Sequence, residues 1–307
     1  MTGHILVTGA SGLVGTALCK ALKMAGNECI GLDLRDSADL CGNVCNSEDL
    51  SAALNGCEGI IHLAAVSRVV WGEQDPTLCH QTNVEGTRTV IKEALSQKEP
   101  PWMIFSSSRE VYGQQLNLPV KEDVPLAPMN VYARSKVAGE QLVAEARQCG
   151  LQGSVLRLSN VYGCVNDHVD RVVPAFARGA VNGETLRVDG GNHTFDFTHL
   201  EDTVIGLIKM VELLRVERTA PPPLHLLTGC QTTLHELACL AVEVAGNSSK
   251  ILEAPPRSYD VSHFSGDPGR AKEILGWEST ISIREGMARL VKNFRELEVK
   301  AELEQAS

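Results

Sequence analysis

The sequence lacks any uninterrupted apolar run that approaches the ~18 residues that a membrane-spanning helix needs. The amino terminus also lacks the basic segment of a secretory signal peptide, so we expect a cytoplasmic location. Basic residues are in the minority, because 28 Lys and Arg stand against 38 Asp and Glu, and the formal net charge is −10. A chain with this balance has little positive charge to neutralise a phosphate backbone. We therefore expect neither nucleic acid nor a membrane among its partners.

No Cys-x-x-Cys pair occurs among the ten cysteines, and the closest two are Cys41 and Cys45. Nothing nearby completes a zinc-binding set of the usual spacing, so we expect no metal site. Without secretion, the thiols are expected to stay reduced and most of them to serve as small buried hydrophobes. With 307 residues, 43% of them hydrophobic, the chain is expected to bury a large core without disulfide or metal support.

In the first two thirds of the chain, short apolar runs alternate with longer segments of helical pattern. The runs show no alternation of apolar and polar residues, as expected for strands of a sheet that is covered on both faces. The order strand–helix–strand implies parallel strands with right-handed crossovers. We predict strands at 4–8, 28–32, 59–63, 102–106 and 154–158, and helices at 16–25, 48–54, 83–96 and 131–148. The predicted fold class is α/β with a doubly wound parallel sheet.

The pattern loosens after about residue 160, where glycines, prolines and short segments replace the regular alternation. Three further helices are predicted, at 200–215, 232–245 and 283–295. We expect a first, Rossmann-type domain at 1–160, with 196–218 returning to it. We expect a smaller α/β substrate-binding region at 161–195 and 219–297, and a polar tail at 298–307.

A glycine-rich turn follows the first predicted strand, with the sequence TGASGLVG at residues 8–15. Gly9 suits a tight turn, Gly12 allows close approach to a pyrophosphate, and Gly15 allows the helix to pack on the strand. The pyrophosphate is then expected at the partly positive amino end of the helix. Asp33, at the end of the second strand, can accept the adenosine-ribose hydroxyls and would repel a 2′-phosphate, although Arg35 could partly offset this. The predicted cofactor is NAD.

Tyr132 and Lys136 lie four residues apart, on one face of a predicted helix. Ser106 and Ser108 lie at the end of the fourth strand, at the edge where a doubly wound sheet binds ligands. A phenol with a pKa near 10 is a poor base at neutral pH, but a neighbouring ammonium and a positive nicotinamide both favour the phenolate. We predict that Tyr132 is the base in alcohol oxidation, that Lys136 lowers its pKa and holds the nicotinamide ribose, and that Ser108 hydrogen-bonds the reacting oxygen.

The sequence resembles the extended short-chain dehydrogenases/reductases of the NAD-dependent nucleotide-sugar epimerase/dehydratase family. The motifs TGASGLVG, IIHLAA, NVEGT, FSSSREVYG, VYARSK and LRLSNVYG follow in the order and spacing of that family over nearly the whole chain. The resemblance implies that Ser108, Tyr132 and Lys136 are the catalytic residues and that NAD is held tightly. It also implies a second region that binds a nucleoside-diphosphate sugar, and a homodimer formed through the helices near 83–99 and 131–149.

The resemblance also implies two sets of binding residues. Asn43 is a mild departure, because an Asp that contacts adenine is usual there and an amide oxygen can still accept from an adenine amine. The set implied for NAD is Gly9, Ser11, Gly12, Leu13, Val14, Gly15, Asp33, Leu34, Asn43, Val44, Leu63, Ala64, Ala65, Asn83, Ser106, Tyr132 and Lys136. The set implied for the substrate is Ser67, Ser108, Arg109, Tyr132, Asn160 and Arg257.

The expected diphosphate site departs from the family pattern in one place. Members often carry an arginine at the position of Phe195, where it helps to bind the diphosphate, and Arg187 or His193 could substitute for it. Arg257 is implied as a diphosphate ligand, since a guanidinium offers a rigid fork of donors for two adjacent phosphates. The alternative for Arg257 is a surface charge in a proline-bounded loop.

Glu110 leaves the reaction open. In 4-epimerases of the family this position is usually small, whereas dehydratases and decarboxylases often carry a Glu that removes the sugar's 5-proton. The residue before it is Arg109, which cannot usefully donate a proton, so a complete dehydratase pair is absent. We predict NAD-dependent 4-epimerisation of a nucleoside-diphosphate sugar of the UDP-glucose or UDP-glucuronate type, through a 4-keto intermediate. The alternatives are a 4,6-dehydratase or decarboxylase that uses Glu110, a keto-sugar reductase, and a non-catalytic dinucleotide-sensing module.

Overall fold

The computed structural model describes residues 3–217, 219–257 and 261–305. Its strands are β1 His4–Thr8, β2 Cys29–Asp33, β3 Leu40–Cys41, β4 Cys57–His62, β5 Trp102–Ser108, β6 Gly153–Leu158, β7 Asn160–Tyr162, β8 Leu186–Asp189, β9 Thr194–Phe195, β10 Phe197–His199, β11 Leu224–Leu226, β12 Thr232–Thr233 and β13 Ile251–Ala254. Its α-helices are α1 Leu13–Met24, α2 Ser47–Leu54, α3 Val69–Gln74, α4 Pro76–His80, α5 Gly86–Leu95, α6 Val131–Gln148, α7 Val172–Val181, α8 Leu200–Val216, α9 Leu234–Ala245, α10 Gly269–Leu275 and α11 Ile283–Gln305. A π-helical turn, Gln81–Glu85, precedes α5, and a 3-10 turn, Arg109–Tyr112, follows β5.

A seven-stranded sheet forms the centre of the fold, in the order β11–β6–β5–β4–β1–β2–β3. All its neighbouring strands pair in parallel, which confirms the predicted fold class. The order reverses beside β1, because β2 lies on one side of it and β4 on the other. In open α/β sheets, ligands bind outside the carboxyl ends of the strands at such a reversal.

Both faces of the sheet are covered by helices, as the continuous apolar strands require. Ile5 and Val7 of β1 point to one face and Leu6 to the other, and all three are fully buried. The first face packs against α1 and α8, through residues such as Leu18 and Leu207. The second face packs against α2, α5 and α6.

A second core lies beside the sheet. The helices α7, α9 and α11 pack together there, with side chains such as Phe176, Leu237 and Met287 at the centre. Three two-stranded pairs border this core: β8 with β13, β9 with β12, and β7 with β10. This arrangement corresponds to the smaller α/β region that was expected toward the carboxyl terminus.

The structure differs from the predicted elements at two edges of the sheet. It adds β3 and β11, which have only two and three residues and therefore give no recognisable apolar run. The strand β11 pairs with β6, although it falls within the segment 219–297 that we assigned to the second region. Helix α10 and the buried Trp277 also pack with the core on the sheet's first face. Residues 298–305, expected as a polar helical tail, continue α11.

Over the described ranges, no helix has both the length and the apolar character that a membrane span requires.

Candidate active site

The glycine-rich turn joins β1 to α1 and brings the backbone close to the segment after β4. Gly9 has a φ of +71°, and a Cβ on it would lie only 2.7 Å from the backbone nitrogen of Ala64. A Cβ on Gly15 would overlap the carbonyl oxygen of Gly9. Both positions therefore require glycine. Helix α1 begins after Gly12 with no side-chain cap and no acidic residue in its first turn, so its amide donors face the cavity free for an anion.

A cavity of about 860 Å³ runs from this turn along the carboxyl edge of the sheet to the second region. Every site residue predicted from the sequence lines it, except Ser11 and Asn83. The sequence pattern therefore located the walls of this cavity from residues that are up to 248 positions apart, from Gly9 to Arg257.

Asp33 lies at the expected adenosine end of the cavity. Its Oδ2 accepts a hydrogen bond from the backbone nitrogen of Ser11 at 3.0 Å, and its Oδ1 accepts from the backbone nitrogen and Nε of Arg35, both at 3.1 Å. Ser11 thus orients the carboxylate from outside the cavity wall, instead of lining the cavity as the resemblance implied. Arg35 forms an ion pair with Asp33, so the positive charge of Arg35 lies beside the Asp33 carboxylate. The glycine positions, the open helix terminus and this carboxylate together fit a dinucleotide.

Asn83 is buried behind the cavity wall. Its Oδ1 accepts from the backbone nitrogen of Val66 at 2.7 Å, and its Nδ2 donates to the carbonyl oxygen of Val66 at 3.0 Å and to Oγ of Ser135 at 2.8 Å. With its amide engaged in this way, Asn83 holds the segment after β4. The structure does not place it in the cavity, where the resemblance implied contact with the cofactor.

Ser108, Tyr132 and Lys136 meet at the carboxyl end of β5. Ser108 is the last residue of β5, and its hydroxyl lies close enough to that of Tyr132 to favour the ionised phenol. Lys136 donates from Nζ to the carbonyl oxygen of Ser106 at 2.8 Å. Helix α6, which carries Tyr132 and Lys136, is capped at its start by Asn130, whose Oδ1 accepts from the backbone nitrogen of Ala133 at 2.7 Å. All three predicted catalytic side chains are buried and line the cavity.

Burial dominates the ionisation of this group. It raises the pKa of Tyr132 to about 12, and the nearby Ser108 hydroxyl only partly opposes this shift. Burial also lowers the pKa of Lys136 to about 8. The Lys136 nitrogen lies 5.9 Å from the centre of the Tyr132 ring and is bonded to the Ser106 carbonyl. Desolvation therefore dominates at both groups, and the lowering of the Tyr132 pKa by Lys136 together with the nicotinamide stays a prediction.

Glu110 forms an ion pair with its neighbour. Its Oε1 lies 2.7 Å from Nη2 of Arg109, and its Oε2 accepts from Nδ2 of Asn130 at 3.0 Å. Both side chains are buried. The Arg109 guanidinium also stacks on the ring of Phe195, 4.7 Å from its centre. A cation therefore lies beside the position from which the family's arginine is missing.

The second region supplies the remaining predicted substrate residues. Asn160 donates from Nδ2 to the carbonyl oxygen of Asp196 at 3.1 Å. Arg257 and Arg187 both line the cavity and both pair with Asp189, at 3.5 Å and 2.8 Å. Of the two proposed substitutes for the missing arginine, Arg187 therefore faces the cavity, whereas His193 is not among its lining residues.

Sequence reasoning missed several residues of the cavity wall. Arg68 lies over the ring of Trp71, at 5.1 Å, and forms an ion pair with Asp170. His168 packs edge-on against Trp71, with ring centres 4.6 Å apart, and Arg171 lies nearby in the wall. These residues occupy loops and short helices without periodicity, so no pattern in the sequence singles them out.

Fold and site together define a protein with a Rossmann-type sheet and a Ser–Tyr–Lys group at its ligand-binding edge. The chain belongs to the NAD dependent epimerase/dehydratase family, whose model matches residues 5–219. This membership confirms the family resemblance and NAD as the cofactor.

Three similar proteins illustrate the range of activities in the family. The UDP-glucose 4-epimerase of Mycolicibacterium smegmatis is 30% identical over 94% of this chain and 98% of its own length. UDP-glucuronic acid decarboxylase 1 of Arabidopsis thaliana is also 30% identical, over 95% of this chain and 70% of its own. The solved structure of MoeE5 in complex with UDP-glucuronic acid and NAD superposes with a TM-score of 0.89 at 26% identity, covering 96% of this chain and 99% of that one. Equal identity to an epimerase and to a decarboxylase supports the family but not one reaction.

Proposed function

We propose that the protein is an NAD-dependent 4-epimerase of a nucleoside-diphosphate sugar. The observation that carries this proposal is the meeting of Ser108, Tyr132 and Lys136 in the cavity that also contains the glycine-rich turn. The group has the residues needed to remove and return the proton of a sugar hydroxyl. A UDP-sugar is the proposed substrate, because the similar proteins are named for UDP-sugars or contain one.

The cofactor would lie between the glycine-rich turn and the Ser–Tyr–Lys group. The first turn of α1 faces its pyrophosphate, Asp33 its adenosine ribose, and Lys136 its nicotinamide ribose. Bound NAD supplies a positively charged hydride acceptor that returns the hydride to the sugar. That positive charge is important here because the pKa of Tyr132 is about 12 in the chain itself.

The chain's own residues handle the proton and the sugar. Ser108 donates to the reacting oxygen, while Tyr132 removes the 4-hydroxyl proton and later returns it. Between these two steps the 4-keto sugar must present its opposite face. The rings of Phe195 and Phe197 line the same cavity and give it apolar surface. Arg187, Arg257 and Asn160 are the proposed diphosphate and sugar-phosphate ligands.

A lyase that uses Glu110 is the second candidate. It is favoured by the similarity to the Arabidopsis decarboxylase and by the position of Glu110 in the cavity wall. Against it, both oxygens of Glu110 already accept hydrogen bonds, from Arg109 and Asn130. A carboxylate held in this way is less available to remove a proton from carbon 5. We therefore place the epimerase first.

Product analysis tests the proposal. The protein is loaded with NAD and incubated separately with UDP-glucose, UDP-glucuronate and dTDP-glucose, and the products are followed by NMR and mass spectrometry. We expect inversion at carbon 4 without a change in mass. Loss of water or carbon dioxide would instead support the lyase, and net consumption of a reduced cofactor would support the reductase. NAD binding without turnover of any of these sugars would support the non-catalytic module.

A further inference from the structure

Arg109 is a buried cation that the protein satisfies only in part. The residue is 7% exposed, and its Nη2 forms the ion pair with Glu110. Its Nε and Nη1 are also buried, and they make no hydrogen bond to any residue in the described ranges. Burying donors of a charged group without acceptors is costly, so such a group in a cavity wall indicates an acceptor that arrives with a ligand.

Two aromatic rings fix the guanidinium in this position. It lies 4.7 Å from the centre of the Phe195 ring and 5.4 Å from that of Phe264. Both rings offer their electron-rich systems to the cation, which offsets part of its desolvation. Phe195 and Arg109 both line the cavity, so the stacked cation forms part of the ligand-facing wall.

The position of Arg109 in the chain determines which part of the sugar it can reach. Ser108 and Tyr132 line the same cavity and, in the proposed function, face the 4-hydroxyl. Arg109 directly follows Ser108 and starts the 3-10 turn. In a six-membered sugar ring, carbon 5 is bonded to carbon 4, whereas carbon 1, which carries the diphosphate, lies on the opposite side of the ring. If Ser108 and Tyr132 face carbon 4, an anionic group attached to carbon 5 would lie on the side of the ring that is nearer to Arg109.

We propose that Arg109 binds a carboxylate on carbon 5 of the sugar, so that the substrate is a nucleoside-diphosphate uronic acid. This inference rests on the proposed function, because it takes the Ser–Tyr pair as the anchor of carbon 4. A guanidinium donates charge-assisted hydrogen bonds to a carboxylate. While Nη2 remains on Glu110, Nη1 lacks an acceptor and can donate such a bond to the substrate. A neutral hydroxymethyl group at carbon 5 cannot form an ion pair with them.

Binding measurements on the NAD-loaded protein test this assignment. Isothermal titration with UDP-glucuronate and UDP-glucose is compared for the wild-type protein, Arg109→Gln and Arg109→Lys. We expect Arg109→Gln to weaken UDP-glucuronate binding about 10- to 100-fold, the loss of a hydrogen-bonded ion pair, and to change UDP-glucose binding little. Arg109→Lys should recover part of the affinity for UDP-glucuronate. The matched control is Arg284→Gln, which removes an arginine from an exposed pair with Glu243.

Equal weakening of both sugars by Arg109→Gln would overturn the proposal and assign the guanidinium to the diphosphate. Unchanged binding of both would also overturn it and leave Arg109 as a partner of Glu110 alone. Because Arg109→Gln leaves Glu110 buried without its cation, the double variant Arg109→Gln/Glu110→Gln removes both charges and keeps the test available if the single variant fails to fold. Wild-type UDP-glucuronate affinity in the folded double variant would contradict the proposal.

The outcomes separate this inference from the proposed function. Suppose that the protein prefers UDP-glucuronate through Arg109 but does not invert carbon 4. This result would contradict the proposed epimerase activity and would support the uronic acid site. Inversion at carbon 4 of UDP-glucose, with no preference for UDP-glucuronate in the wild-type protein, would support the epimerase activity and contradict the uronic acid site.

Discussion

At the residue scale, burial controls the ionisation of the site. The pKa of Tyr132 is raised to about 12 and that of Lys136 is lowered to about 8, so each group is shifted toward its neutral form. A neutral phenol and an easily deprotonated amine are what a dry cavity favours. The positively charged nicotinamide of bound NAD would favour the phenolate of Tyr132.

Tyr132→Phe should reduce kcat by about 10²- to 10⁴-fold, because it removes the proton acceptor while keeping the ring. The affinity for NAD should stay close to that of the wild-type protein. Steady-state rates and cofactor titration check both parts. A near-normal rate would remove Tyr132 from the proposed mechanism.

Lys136→Met should change the pH dependence of stability. The folded-state pKa of Lys136 is about 8, below the value of about 10.4 in an unfolded chain, so the unfolded state holds more protons between these values. The free energy of unfolding of the wild-type protein should therefore rise with pH relative to that of the variant, by about 2 kcal/mol from pH 7.5 to 9.5. Urea unfolding of both proteins at the two pH values measures this difference. A constant difference would show that the ammonium is not desolvated in the fold.

Glu110→Gln should leave the epimerase rate within about fivefold of the wild type, since the carboxylate has no proton to move in that reaction. Its stability should fall, because the buried guanidinium of Arg109 loses its counter-charge. Product formation by NMR and the melting temperature report these two effects. A loss of several orders of magnitude in turnover would favour the lyase.

At the scale of elements, the junction of β5 and α6 holds the site together. Ser108 ends the strand and caps the 3-10 turn, where its Oγ accepts from the backbone nitrogen of Glu110 at 3.2 Å. Asn130 caps α6 and also donates to Glu110. Side-chain contacts therefore link the end of β5, the Arg109–Glu110 ion pair and the start of α6.

Asn130→Ala should lower the free energy of unfolding by about 1–2 kcal/mol through loss of the helix cap, and by a further amount through the lost bond to Glu110. Because Tyr132 lies in the first turn of α6, kcat should fall as well. Denaturant unfolding and steady-state rates test the two effects together. Asn130→Asp, which can still cap the helix, should retain more stability than Asn130→Ala, and equal losses would argue against capping as the cause.

The sequence was sufficient for the long elements and for the residues that meet at the carboxyl edge of the sheet. Local signatures mark the strands of five or more residues with their short apolar runs, the glycine positions, and the four-residue spacing of Tyr132 and Lys136. The stacking of Arg109 on Phe195 has none, because it joins residues 86 positions apart whose proximity depends on how the second region folds over the edge. The same holds for β11, whose three residues are recruited by β6.

At the scale of the whole molecule, one cavity is lined by both the large sheet and the second region. A ligand that touches both stabilises the fold as a unit. The homodimer through the helices near 83–99 and 131–149, and the cytoplasmic location, stay predictions.

NAD at a hundredfold excess over its Kd should stabilise the protein by about 2.7 kcal/mol. NADP at the same concentration should stabilise it less, because a 2′-phosphate would approach the Asp33 carboxylate. Thermal unfolding with each cofactor measures this difference, and Asp33→Asn should reduce it. Equal stabilisation of the wild-type protein by both cofactors would mean that Arg35 compensates for Asp33.

The strand β11, which comes late in the chain, limits where the protein can be truncated. The family model ends at residue 219, before β11 begins at Leu224. A fragment cut at that border would leave β6 with an open row of backbone donors and acceptors along its outer side. Because unpaired backbone groups on an edge strand pair readily with other chains, the truncated fragment should self-associate along β6.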